Sequence, residues 1–297
     1  VAELRRRNPI TAPPATPARY SLLTAAGANG VSGGTDWQIG VTWLPESCGG
    51  SHLSKASEAV QAERTPGART EAVHSSPFYV WAEDNATATP VTQRDWQGRA
   101  RRRLEATQSF QIARELWTGA FTTSTETADE RSPFLADTTQ VADVQASGQT
   151  AIGIAEALAM EQSEGRRIMI HVPIPVLEDT MADGSYVMRD TGGVLTTAMG
   201  SIVVADAGYD GSAPELYDGA SDGMWVYTST LVQVRLDAIE LLPASLANAL
   251  GIAQALGRPR NDMMVLAQRL ALYVLDPCAR IAVSTDVPVL PDLTTLT

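Results

Sequence analysis

The feature that most limits how this chain can fold is a pair of aromatic strands held apart by a long polar stretch. Trp37, Ile39, Val41 and Trp43 alternate with Gln38, Gly40 and Thr42, the two-residue period of a half-buried strand. From Pro45 to about Ser76 apolar content is low; then Phe78-Tyr79-Val80-Trp81-Ala82 gives a second short strand. The pattern predicts a protruding two-stranded arm over residues 37–91. An isolated pair of strands is marginal in water, so its aromatic side chains need a partner surface. Trp37, Trp43, Phe78 and Trp81 are therefore the candidate subunit-interface residues. The preceding segment makes a similar demand. Pro9, Pro13, Pro14 and Pro17 exclude regular helix, and Gly27, Gly30, Gly33 and Gly34 follow. Residues 1–36 read as an extended arm that a neighbour orders.

The rest of the chain mixes helices with antiparallel-looking strands. Ala106, Phe110, Ala113 and Trp117 recur at spacings of four, three and four, which predicts a long helix over about 92–118 with Gly119 as its stop. Residues 122–147 are polar and Thr-rich and read as loops. A second helix is predicted over about 149–162, a strand over 167–172 ending at Pro173, a helical turn over 176–181, and a buried strand over 200–205. Residues 224–236 read as a long strand or hairpin. Met263, Leu266, Ala267, Leu270 and Val274 share one helical face, predicting a third helix over about 262–275 that Asp276-Pro277 breaks. A final alternating strand covers 279–287. Regular βαβ alternation is missing, so the class is α+β.

The sequence offers little chemistry. His52, His74 and His171 have no metal-ligand spacing, and His171, inside a predicted strand, reads as a satisfied structural histidine. Neither a GxSxG elbow nor a phosphate-binding loop is present. The run Asp206–Gly211 lacks the acidic spacing of a calcium loop and reads as a turn. Cofactor, metal and catalytic residues are expected to be none. Net charge is −12 with a pI of about 4.7, a balance that repels phosphate backbones at long range. Arg99, Arg101, Arg102 and Arg103 form the densest positive run; it reads as a solvated, ion-paired helix face, with nucleic acid or an acidic subunit as the alternative. Cys48 and Cys278 fit two free thiols in a reducing compartment, with a single bridge as the alternative. Without a run of about 18 apolar residues, no membrane partner is expected. The N-terminal Arg5, Arg6 and Arg7 are not followed by an apolar stretch, so this start reads as cytoplasmic, not secretory.

The stretch Met264-Val265-Leu266-Ala267-Gln268-Arg269-Leu270-Ala271-Leu272-Tyr273-Val274-Leu275-Asp276-Pro277, running on to Val283, resembles the closing helix-turn-strand of tailed-phage major capsid proteins of the Hong Kong 97 fold. Arg114-Glu115-Leu116-Trp117-Thr118-Gly119 resembles the end of that family's spine helix. Residues 149–173 and 196–204 resemble its axial domain. The resemblance implies an N-terminal arm (1–36), an extended loop (37–91), a peripheral domain with the spine helix (92–147 and 224–297) and an axial domain (148–223). It also implies a non-enzymatic protein that self-assembles in pentamers and hexamers into the icosahedral head of a virion. That shell would form in the host cytoplasm around double-stranded DNA, with portal, scaffold or decoration proteins as further partners. Arg5, Arg6 and Arg7 would then face the DNA. Lys55 would sit where some members carry a cross-linking lysine, with Asn248 or Asn261 as acceptor. The competing readings are an encapsulin-like nanocompartment shell, separated by particle size and contents, and a hydrolase or carbohydrate-binding domain, which would be a monomer with a deep polar pocket.

Overall fold

The computed structural model describes residues 18–26, 36–45, 71–87, 95–127, 130–182, 189–219, 222–243 and 262–289. In chain order the elements are α1 (Leu22–Ala25), β1 (Val41–Trp43), β2 (Val73–Ser75), β3 (Phe78–Thr87), α2 (Trp96–Thr118), α3 (Ala120–Thr125), β4 (Val141–Ala146), α4 (Gly148–Gln162), β5 (Met169–Val172) and α5 (Ile174–Ala182). They continue with β6 (Arg189–Thr191), β7 (Val194–Thr196), β8 (Ile202–Ala205), β9 (Gly223–Ser229), β10 (Gln233–Leu236), β11 (Glu240–Leu242), β12 (Asp262–Val274) and β13 (Ala282–Pro288).

The long predicted helix is α2, about 35 Å from end to end at 1.5 Å per residue. Asp95 starts it by accepting the Gly98 N–H, the usual work of an N-cap carboxylate. Gly119 ends it in the left-handed region at φ 57°, where a side chain would also meet the Phe134 ring at 2.4 Å. The next helix begins at once, and Glu115 makes this possible. Its buried carboxylate accepts the N–H groups of Phe121 and Thr122 at 2.8 and 2.9 Å and the Thr122 hydroxyl at 2.7 Å. Donors that α3 would otherwise leave unpaired are thereby satisfied. The predicted loop region 122–147 thus holds part of α3, a 3-10 turn at Leu135–Asp137, and β4.

Seven strands form the central sheet in the order β4-β13-β9-β5-β8-β7-β6. Its period-two alternation sorts side chains between two cores. Met169, Ile202, Val204, Trp225 and Tyr227 join the core that α2 covers. Ile170, Val172, Val203, Val226 and Val283 join the core under α4 and α5. Trp117 locks α2 to this sheet: its ring lies 4.6 Å edge-on from Tyr227 and 4.9 Å from Tyr209, and its indole N–H donates to Ser212. Strands on both sides of the expected 147/148 and 223/224 boundaries share this sheet, so those boundaries run through it. The outermost strand, β4, pairs in parallel with β13 through a bulge, and Gln145 beside it has φ 44°.

A second sheet is built on β12, where sequence reading placed a helix. β12 pairs over ten residues with β3, and on its other edge with β10 and β11. Val265, Ala267, Ala271 and Tyr273 point to α2, a period of two that the helical spacing of the same segment obscures. Leu, Ala, Met and Gln favour helix by a few tenths of a kcal/mol each, which pairing on both edges outweighs. The resemblance to a closing helix-turn-strand is corrected to strand, 3-10 turn (Pro277–Ala279), strand.

The aromatic arm is corrected too. Trp43 pairs with Val73 in a small β1-β2 sheet, whereas 78–87 belongs to the β12 sheet and not to a hairpin with 37–44. Residues 18–26, expected to need a neighbour, fold onto their own chain. Leu22 is fully buried, its N–H donates to Asp206 at 3.0 Å, and Ser109 of α2 donates to the same carboxylate at 2.7 Å. Cys278 is disulfide-bonded and not the free thiol expected; the chain's other cysteine, Cys48, lies outside the described residues.

Candidate assembly surfaces

His171 is fully buried on β5, with its ring nitrogens 2.8 Å from the Tyr209 hydroxyl and 2.7 Å from the Ser229 hydroxyl. Burial pushes its pKa down to about 3, so it is neutral at physiological pH and sealed from any substrate. Burial likewise pushes the Tyr209 phenol up. Among the described residues no cluster of His, Cys, Asp or Glu is arranged to hold a metal ion, and no helix is long and apolar enough to cross a membrane.

The arginine run is committed to the fold. Arg99 and Arg103 reach buried Asp84 at 3.0 and 3.4 Å, Arg101 pairs with Glu105 and Arg102 with Asp95. Arg99 and Arg103 bind α2 to β3, while the other two pairs lie within α2 and its N-cap.

What the molecule leaves open is apolar. In the β12 sheet, Tyr79 stands opposite Leu270 and Trp81 opposite Gln268, on the face turned away from α2. Tyr79 is 59 % exposed and Trp81 57 %. Among the described residues β3 pairs only with β12. Beside it lies a cleft of about 320 Å³ reached by Gln111 and by the half-exposed Phe121. A monomer keeps such aromatic area in water at a cost of about 25 cal/mol per Å². A second opening, about 680 Å³, lies between β1 and the approach to β5, lined by Trp43, Leu44, Leu231, Arg166, Arg167 and Arg235.

The expected interface residues divide accordingly. Trp81 is open and Trp43, half-buried, lines the second opening. Trp37 and Phe78 are 2 % and 7 % exposed within their own subunit, and Phe78 packs edge-on against Tyr273; neither waits for a sister copy. Tyr79 was missed, although period-two alternation places it beside Trp81 and opposite to Phe78. Lys55, Asn248, Asn261, Arg5, Arg6 and Arg7 lie outside the described residues.

A protein of Mycobacterium phage Ogopogo superposes with a TM-score of 0.53 at 13 % identity, over 91 % of this chain and 94 % of its own. A capsid protein of a native GTA particle gives 0.51 at 12 % identity, over 94 % and 95 %. This chain has a capsid fold of the Hong Kong 97 type. A protein of Microbacterium phage Oxtober96 matches this capsid fold over 96 % of both chains, with a TM-score of 0.50 at 10 % identity. No protein-family profile matches the chain, and no curated protein is significantly similar to it; the capsid fold is carried by element order and not by residue identity.

Proposed function

We propose that this chain is the major capsid protein of a tailed bacteriophage, assembling with itself in pentamers and hexamers into an icosahedral shell around double-stranded DNA. The observation that carries this reading is the open aromatic face of β3. Tyr79 and Trp81 lie on a sheet face that stays more than half exposed among the described residues, in a fold shared with shell proteins. Many copies in closed rings make individually weak contacts strong together. In this reading residues 1–36 are the N-terminal arm, α2 is the spine helix, the β12 sheet with α2 is the peripheral domain and the seven-stranded sheet with α4 and α5 is the axial domain. Arg5, Arg6 and Arg7 contact packaged DNA without sequence preference, since phosphate contacts carry no sequence information. Portal, scaffold and decoration proteins are the remaining partners, and the virion is the location. Lys55 with Asn248 or Asn261 is the proposed inter-subunit cross-link, which would show as a ladder of covalent multimers on denaturing gels.

The test is to purify the full chain and image it by negative stain alongside sedimentation velocity. Shells or ring-shaped capsomers are expected. Uniform monomers at high concentration would overturn the reading.

A further inference from the structure

The seven-stranded sheet has ends of opposite charge, set by strand direction. β5 and β8 run parallel, Met169 beside Ile202 and Val172 beside Ala205. Arg166 and Arg167 precede β5, so they lie at the end where these strands start. β9 runs antiparallel to β5, so Thr230 and Leu231, which follow β9, arrive at that same end. There they line the 680 Å³ groove with Arg166, Arg167 and Arg235. Three arginines face one acid in its lining, Asp276, and the apolar wall is Trp43, Leu44 and Leu231.

The loop after β8 leaves from the other end, where β9 starts, and folds back along the sheet, its Glu215 N–H donating to Ala136 and its Tyr217 ring packing on Trp225. It carries Asp210, Glu215, Asp218 and Asp222, all exposed, and no lysine, arginine or histidine occurs from residue 190 to 234. Asp286 near the end of β13, which is antiparallel to β9 and comes within a backbone hydrogen bond of Asp222 at Val289, adds a further exposed acid. Leu216 projects from this loop at 73 % exposure. The loop thus offers an apolar tip among exposed acids, and the groove an apolar wall among arginines.

We infer that they meet between copies: the Leu216 loop of one subunit docks in the Trp43–Arg235 groove of the next, head to tail. Contacts of this kind use two different patches and close into rings when the rotation allows. Opposite charges at the rim fix register and speed encounter, while the wrong end-to-end pairing sets like charges together. The apolar tip and wall supply the buried area. This inference rests on the shell reading and adds to it the pair of surfaces that join neighbours.

Charge reversal tests it in the full-length chain. Arg167→Glu with Arg235→Glu reverses the groove; Glu215→Arg with Asp218→Arg reverses the loop. Each pair should cut the assembled fraction in sedimentation velocity at least tenfold, with the circular dichroism spectrum unchanged. The chain carrying all four changes should recover assembly, and an equimolar mixture of the two pair variants, in which each reversed groove meets a reversed loop, should recover the six-membered rings that alternation can close. The mixture keeps the test valid where the fourfold chain folds poorly. Pair variants that assemble like the parent, or reversals that neither combination rescues, would overturn the inference and leave the shell reading standing. A parent chain that never assembles would overturn the shell reading and the inference with it.

Discussion

His171 links stability to pH through its burial. Its ring is enclosed by Tyr209 and Ser229 hydroxyls, and desolvation lowers its pKa from 6.5 to about 3. Between those values the unfolded chain takes up a proton that the folded chain refuses. Stability is therefore full above pH 6.5 and falls with pH through this window, by on the order of 5 kcal/mol at its lower end. Urea midpoints at pH 7 and pH 4 should show the loss, and His171→Asn should shrink the difference between them. Glu115 is a second such residue. Glu115→Ala removes the acceptor of three hydrogen bonds beneath α3 and should cost about 3 kcal/mol in denaturant unfolding; Glu115→Gln, which keeps one oxygen, should cost less. At this scale the sequence was partly legible. His171 in an apolar strand reads correctly as structural. Glu115 does not stand out, because its partners are backbone groups that no residue pattern announces.

The fate of β12 decides what was legible among the elements. Helical spacing and period-two spacing coexist in its residues, and only the partners on either side choose between them. The strand has long-range partners in β3, β10 and β11, none visible from a local window. α2 and α4 lack that ambiguity, and both fall where the periodicity places them. Of the aromatic strands the second was found as a strand, but the first holds only at Val41–Trp43, with Trp37–Ile39 in a turn, and the two were paired wrongly, because pairing is a property of the sheet and not of either segment. Coupling between elements is testable at Asp84, which is buried and holds Arg99 and Arg103 across the α2–β3 junction. Asp84→Ala leaves two cations without their counter-charge and should cost about 2 kcal/mol, seen as a lower melting temperature. Hydrogen exchange should speed in β3 ahead of the central sheet.

For the molecule as a whole, the expectation is a folded subunit whose open surfaces matter only in company. Trp81→Glu should leave the melting temperature within a few degrees of the parent, since the side chain is 57 % exposed, yet abolish particles in negative stain. Phe78→Ala, buried in the same strand, should do the reverse first, destabilising the subunit by about 3–5 kcal/mol. That contrast separates an assembly residue from a core residue three positions away. The fold was legible as its mixed class, with a long helix at 96–118 and a closing strand at the end of the described chain. The domain boundaries were not, because β4, β9 and β13 cross them to complete the central sheet. One detail of that sheet bears on life at high concentration. One of its two edge strands, β4, is bent by a bulge and by the left-handed turn at Gln145, so that edge offers a poor template for another strand to extend. A population of such subunits, crowded together before they close, is steered away from fibrils and kept available for the finite object.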